Sequence, residues 1–449
     1  MPAHLESWQA RDIAIAPIAE LAAALRAEAG NRAPDAFDVA DGLTLAEAQA
    51  VALWHNPGLQ VARAEALAVC ARAQHAGLIP DPALSLSGGR KREDGADGFF
   101  EEAAGVSRSW VSAAGLSLTI PLSGRPAAQR AWRWAEYDAA ALEVAVAEWT
   151  LLQELREAWI AWSAQARRAE VLDAHLKVLT AFSAKAQRLA EAGELAPGSG
   201  RLFLVDEGRT QALLDEAAHL SQARKLRLLS LAGLRPDAPV ELAPALTPDS
   251  APREQDDGAA GIAEDHPRII RLKADYEAAE QQLQVAIRAQ YPDLQLGPDF
   301  TKEKDETVIA LGLGVPLPVW NRNRGGIAEA VAQRAVARAR VMAAYEELTG
   351  ELAQHRAAWA GASAKRTRLE TEVAPLADRQ IAESQALLEA GESDRSLFYA
   401  VLAQSLTIKL ELVDAVAQEQ IARTQLDALR TPHTLAVPIN RENDDALEN

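Results

Sequence analysis

Apolar positions along this chain recur with two different periods, and the switch between them sets the expected order of elements. From Thr307 to Val315 an alternating apolar run, Val308, Ile309, Leu311, Leu313 and Val315, reads as a strand. A corner follows at Pro316-Leu317-Pro318-Val319-Trp320-Asn321-Arg322-Asn323-Arg324-Gly325-Gly326. Beyond it Tyr345, Leu348, Leu352, His355, Trp359, Ala362, Arg366, Leu369, Val373 and Leu376 return at steps of three and four, a coiled-coil-like seam that predicts helix up to Gly391. Roughly 65 residues at ~1.5 Å rise make a rod of about 100 Å, longer than an ordinary globular domain needs.

The same order of patterns appears earlier. Residues 13–29 predict a short amphipathic helix within an N-terminal extension. Thr44, followed three residues on by Glu47, is a capping box that opens a helix, and His55-Asn56-Pro57 breaks it. Helix resumes to about Gly77 and stops at Pro80-Asp81-Pro82. Leu84 and Leu86 then alternate with Ser85 and Ser87 as a short strand, Arg90 to Gly105 reads as a polar surface loop, and Leu116, Leu118 and Ile120 mark a second strand. After Ser123-Gly124-Arg125-Pro126 a helix of about 65 residues carries Leu152, Leu155, Trp159, Trp162, Leu172, Leu176 and Leu179 on its seam to Gly193. A returning helix ends at Gly233, the usual residue just past a helix end.

The plan then restarts. His266-Pro267 answers His55-Asn56-Pro57, Tyr291-Pro292-Asp293 answers Ile79-Pro80-Asp81, and Val315-Pro316-Leu317 answers Ile120-Pro121-Leu122. Arg356 and Trp359 answer Arg156 and Trp159, and Ala390-Gly391-Glu392 answers Ala192-Gly193-Glu194. The chain is therefore a duplicated helix, strand, strand, long helix, helix repeat, mainly α with a small β part. The expected organisation is an N-terminal extension at 1–42, a first repeat at 43–235, a Pro/acidic linker at 236–260, a second repeat at 261–430 and a C-terminal tail at 431–449.

Four strands cannot close a barrel. Their one-sided apolarity, with Ser, Thr and Gly between, suits a lipid face and a wet lumen. A sheet in hydrocarbon must be closed, because an exposed backbone edge costs several kcal/mol per group, so several copies have to pool their strands. Two small hairpins capping a soluble helical bundle fit the same periodicity.

Composition narrows the class. With 46 basic and 64 acidic residues the formal charge is -18, and no basic tract offers a nucleic-acid footprint. Cys70 is the single cysteine, which excludes an intrachain disulfide and reads as a small buried hydrophobe. No run of ~18 apolar residues predicts a transmembrane helix, and Met1-Pro2-Ala3-His4-Leu5-Glu6 has neither the basic nor the apolar region of an export signal. The eight histidines are never paired at i+3 or i+4, so no metal site is expected locally. His355 reads as a packed seam residue. No phosphate loop, nucleophile elbow or dinucleotide fingerprint is present, so neither an enzyme nor a cofactor is expected.

From Leu43 to Leu429 the chain resembles the TolC-like outer-membrane efflux proteins. The residues that carry the likeness are Leu43 to Ala48 with His55-Asn56-Pro57, the duplicated pattern, Val315-Pro316-Leu317 with Asn321-Arg322-Asn323-Arg324-Gly325, and Leu388-Glu389-Ala390-Gly391-Glu392 followed by Leu397. The corner from Pro318 to Gly325 looks most like the heavy-metal-exporting branch. The resemblance implies a homotrimer in the outer membrane that extends into the periplasm. Four strands per chain would complete a shared transmembrane β-barrel, and the long helices an α-helical barrel. It implies a passive exit duct, embedded in outer-membrane lipid, that works with an inner-membrane pump and a periplasmic adaptor. A soluble periplasmic coiled-coil adaptor or scaffold is the alternative reading.

Site expectations follow from that likeness. The helix-hairpin ends would lie at the periplasmic mouth, where Glu194, Glu392 and Asp394 would form acidic pore-lining rings. Arg188, Leu189, Gly193, Leu388 and Gly391 would contact the adaptor. Pro121, Gly124, Pro316, Pro318, Asn321, Gly325 and Gly326 would turn the chain from strand into helix, since Pro fixes φ and Gly permits positive φ. Pro375 would mark a kink or a change of winding in the second long helix.

Overall fold

A computed structural model describes residues 42–93, 107–192, 197–238, 240–246, 266–303, 306–390 and 395–430. The expected helix at residues 13–29, most of the linker and the C-terminal tail lie outside the described residues. Eight α-helices and four strands follow in the duplicated order among the described residues. They are α1 (Leu45–His55), α2 (Pro57–Gln74), β1 (Ala83–Glu93), β2 (Ser107–Ile120), α3 (Arg125–Glu191) and α4 (Pro197–Leu231), then α5 (Pro267–Arg288), β3 (Leu294–Glu303), β4 (Glu306–Gly314), α6 (Arg324–Arg368), a π-helical turn (Leu369–Val373), α7 (Ala374–Glu389) and α8 (Arg395–Arg430).

Two compact units divide the chain. The first gathers residues up to Ala62, Val144–Pro267 and Tyr345 onward. Its α1 starts as the capping box requires. The Thr44 hydroxyl accepts from the Glu47 N–H at 3.4 Å, and the Thr44 N–H donates to the Glu47 carboxylate at 2.8 Å. Asn56 then joins two helices, accepting from the Leu59 N–H at 3.0 Å and donating to the Leu231 carbonyl at 2.9 Å. At the end of α4, Gly233 has φ +72°, and bonds from Leu234 N to Leu229 O and from Gly233 N to Ser230 O form a Schellman closure. A side chain at Gly233 would strike the backbone of His55.

The main core of this unit joins Ala48, Ala52, Leu59, Leu151, Leu155, Trp159, Trp162 and Leu228. Part of the expected linker packs too: Val240 is buried with Leu43 and Val51, and Leu242 bridges to Leu43. Farther along α3, Leu179 packs with Phe398 and Leu402 of α8.

The second unit holds Arg63–Glu143 and Arg268–Ala344. Its helices are buried mostly through alanine, at Ala66, Ala73, Ala135, Ala139, Ala278, Ala330 and Ala337, with Leu283. Its strands form one antiparallel sheet in the order β1-β2-β3-β4. Here the start of the expected loop is corrected, because Arg90 to Glu93 pair with Ser107 to Trp110 and so continue the ladder, while the rest of that loop lies outside the described residues. Polar side chains do not end a strand whose neighbour still offers backbone partners.

The second long helix differs from a continuous rod. Ala374 N–H bonds to Leu369 O, five residues back, and Pro375 has no N–H to donate. The extra residue rotates everything beyond it by about 100°. Consequently the seam passes from Leu376, which is exposed, to Ala377, which is buried. The expectation for Leu376 is corrected accordingly.

Candidate functional site

In an antiparallel ladder directly paired residues share a face, so the register separates the two sides of the sheet. Leu84 pairs with Leu116, Leu86 with Ala114, and Arg90 with Trp110. Ala114 pairs with Phe300, Leu118 with Leu296 and Ile120 with Leu294. Phe300 pairs with Ile309, Pro298 with Leu311 and Leu296 with Leu313. One face is therefore apolar across all four strands. It is also open: Ile309 is 77% exposed and Leu86 73%.

About ten residues separate Trp110 from Ile120, which at ~3.3 Å each and a tilt near 40° span about 25 Å, the height of a barrel's lipid band. The Arg90 guanidinium lies 4.8 Å from the Trp110 ring centroid at one end of that band. Toward the other end stand Tyr291 and Trp320, the latter 91% exposed. Aromatic rings at both margins are the girdle arrangement of membrane barrels.

The opposite face carries Ser85, Ser87, Gly115, Ser117, Thr119, Gln295, Gly297, Thr301, Ala310, Gly312 and Gly314. Asp299 is on this face, paired with Gly115 on one side and Ala310 on the other. A Cβ at Gly115 would meet the ends of the Asp299 and Ser85 side chains and displace them. A Cβ at Gly312 would stand 3.4 Å from Asp299 Oδ2. Beside this cluster Pro298 removes an N–H from the ladder, and the close approach of Leu116 O admits no side chain at Gly297. Sequence reasoning did not single out Asp299. Strand parity could have found it, since it is the charged residue among small ones in the middle of β3.

The strand-to-helix corners are built differently in the two repeats. Pro121 and Gly124 precede α3, where Gly124 has φ +67° and Ser123 Oγ accepts from the Arg125 N–H at 3.2 Å. In the second corner, Pro316, Pro318 and Asn321 lead into α6, but positive φ falls on Arg322 (44°) and Asn323 (52°). Gly325 and Gly326 sit in the first turn of α6 instead. Asn323 tolerates this conformation because its amide donates to the Ala286 carbonyl at 2.8 Å, tying the corner to the last turn of α5. The side chain of Asn323 lies close over Gly326, where a Cβ would have no room.

At the helix-hairpin ends, Arg188 is exposed and its Nε donates to Ala184 O at 3.2 Å, while Leu388 packs against Leu179 and Phe398. Leu189 lies within α3. Gly193, Glu194, Gly391, Glu392 and Asp394 lie outside the described residues.

Nearby, in the helical unit, a cavity of about 710 Å³ is bordered by His175, Phe182, Asp378, Phe398, Leu402 and Lys409. Burial holds the His175 imidazole below its ordinary pKa; Asp206 opposes this and Lys409 adds to it. Across the expected seam of α6, Arg366 pairs with Glu370 and with Glu419 of α8. Among the described residues no helix is long and apolar enough to cross a membrane, and no three His, Cys, Asp or Glu gather as a metal site.

Comparison with known proteins agrees with this geometry. A model of the family described as "Outer membrane efflux protein" matches residues 50–235. The cobalt-zinc-cadmium resistance protein CzcC of Cupriavidus metallidurans is 24% identical over 421 residues, covering 87% of this chain and 91% of that protein. The outer membrane protein VceC of Vibrio cholerae superposes with a TM-score of 0.68 at 19% identity, covering 86% of this chain and 95% of VceC. The outer-membrane channel OprN gives 0.67 at 17%, covering 86% and 89%. Fold over most of the chain and family match over its first half agree, and the likeness to the TolC-like outer-membrane efflux proteins holds.

Proposed function

We infer that this chain is the outer-membrane exit duct of a tripartite efflux system, a passive conduit fed by an inner-membrane pump through a periplasmic adaptor. The observation that supports it most directly is the sheet. It exposes a continuous apolar face about as tall as a lipid band, and among the described residues β1 and β4 each have an unpaired edge. Water disfavours that face and hydrocarbon disfavours those edges, so only closure with further copies in a membrane meets both demands. A soluble adaptor or scaffold has no use for such a surface.

A homotrimer sharing twelve strands fits this demand. Each repeat, 43–235 and 261–430, then gives one hairpin to the wall and one pair of long helices to the periplasmic barrel, with 236–260 joining them. Glu194, Glu392 and Asp394 are assigned to the periplasmic mouth, and Arg188, Leu189, Gly193, Leu388 and Gly391 to the adaptor. Heavy-metal cations are the proposed cargo, on the likeness to a cobalt-zinc-cadmium resistance protein.

Purified in detergent, the protein is expected to run as a heat-resistant trimer and to give ion conductance in planar bilayers. A monomer that stays soluble without detergent and gives no conductance would overturn the reading.

A further inference from the structure

A carboxylate at bilayer depth is costly wherever it meets lipid, so its presence marks a water-filled path. Asp299 is such a group. It stands at the level of the apolar Leu84, Leu116 and Leu311, on the other face of the same sheet. Its two ladder neighbours, Gly115 and Ala310, leave its oxygens uncovered, and Gly312 adds further room. The rest of that face, over the described side chains of 83–90, 111–119, 295–303 and 306–314, bears no lysine or arginine. Glu303 and Glu306, paired with each other, extend the negative side toward the loop end, whereas Arg90 and Lys302 point to the apolar side. Among the described side chains the face that carries Asp299 is thus acidic, and the basic Arg90 and Lys302 are on the other.

We propose that Asp299 sets the ion preference of the sheet's passage, favouring hydrated cations over anions. This rests on the duct reading above. Any symmetric closure of the sheet places one Asp299 per copy at a single height, so the carboxylates form a collar. Low-dielectric walls focus their field across the opening. Metal cations leaving through the duct would meet attraction there, and anions a barrier.

The test is the reversal potential of reconstituted channels under a potassium chloride gradient. Asp299→Asn is isosteric and exposed, and is expected to lower the cation-to-anion permeability ratio about twofold near 0.1 M salt, with the difference fading near 1 M as the Debye length falls to ~3 Å. Asp299→Glu is expected to restore the ratio. Ala310→Lys, which sets a cation beside an intact Asp299, is expected to lower it as Asp299→Asn does, and Lys302→Gln on the outer face to leave it unchanged. Channels that form normally yet keep the wild-type ratio with both Asp299→Asn and Ala310→Lys would overturn the proposal and leave the duct reading standing. If the wild-type protein forms no channels, the duct reading itself falls and takes the proposal with it.

Discussion

The two long helices descend from one plan but hold their partners in different ways. In α3 the seam runs without interruption through Leu155, Trp159, Leu172 and Leu179, all at most 1% exposed. In α6 and α7 the corresponding seam is shallower, with Trp359 and His355 only half-buried, and it jumps by one residue across the π-helical turn. The internal alignment that equates Trp159 with Trp359 sets His175 against Pro375, so the first rod keeps a buried imidazole where the second changes its winding. A duplicated sequence can thus preserve a repeat while dividing its labour. One copy provides the fixed strut, the other a strut whose contact face is rotated partway along.

The largest expected effect comes from the tryptophans. Trp159→Ala removes a fully buried ring that packs edge-on to Trp162 at 5.6 Å between centroids, and should cost about 3 to 5 kcal/mol. Trp359→Ala should cost only about 1 to 2 kcal/mol, in keeping with partial burial. Denaturant titration of the detergent-solubilised protein checks the pair, and equal losses would remove the contrast.

His175 supplies an intermediate effect with a defined sign. Its folded pKa lies below the unfolded value because burial disfavours the imidazolium. Stability from this group is therefore complete above about pH 6.5 and falls as pH drops below it, by up to about 1.4 kcal/mol per pH unit, because the unfolded state takes up the proton first. Melting temperatures of the wild type and His175→Gln between pH 7.5 and 5 should diverge in slope, with the variant flatter. Pro375→Ala should have the smallest effect, a gain under about 1 kcal/mol as the new N–H finds a carbonyl. Its clearer readout is thiol labelling: cysteine at 376 should react faster than at 377 in the wild-type background, and Pro375→Ala should narrow that gap.

What could be seen in the sequence depended on how local the cause was. Thr44 with Glu47, the Asn56-Pro57 break and Gly233 act within one turn of chain, and each reads directly from neighbouring residues. The alternation around Leu84 and Leu118 and the seam through Trp159 are periodic, so they too were visible. The continuation of β1 through Arg90 to Glu93 was not, since its reason is the paired strand and not its own composition. Glycine content points to Gly325 and Gly326 for the tight part of the corner, but the left-handed backbone falls on Arg322 and Asn323, because the bond from Asn323 to Ala286 reaches a helix far back in the chain. The π-helical turn is half legible: Pro375 points to altered winding, but the one-residue shift of the seam arises from the bond of Ala374 to Leu369, which no local pattern encodes. Asp299 gains meaning only once its register partners show which side of the sheet it is on.

In the sheet, chain order and spatial order coincide, so β1 and β4 are its two rims and neither can shield the other. If the chain is the duct proposed above, a newly delivered copy has no resting place in the bilayer by itself. On the duct proposed above, insertion and subunit recognition would be one event, with the rims of sister copies meeting as the apolar side enters lipid. Overproduction that outruns this meeting should drive rim-to-rim stacking into aggregates.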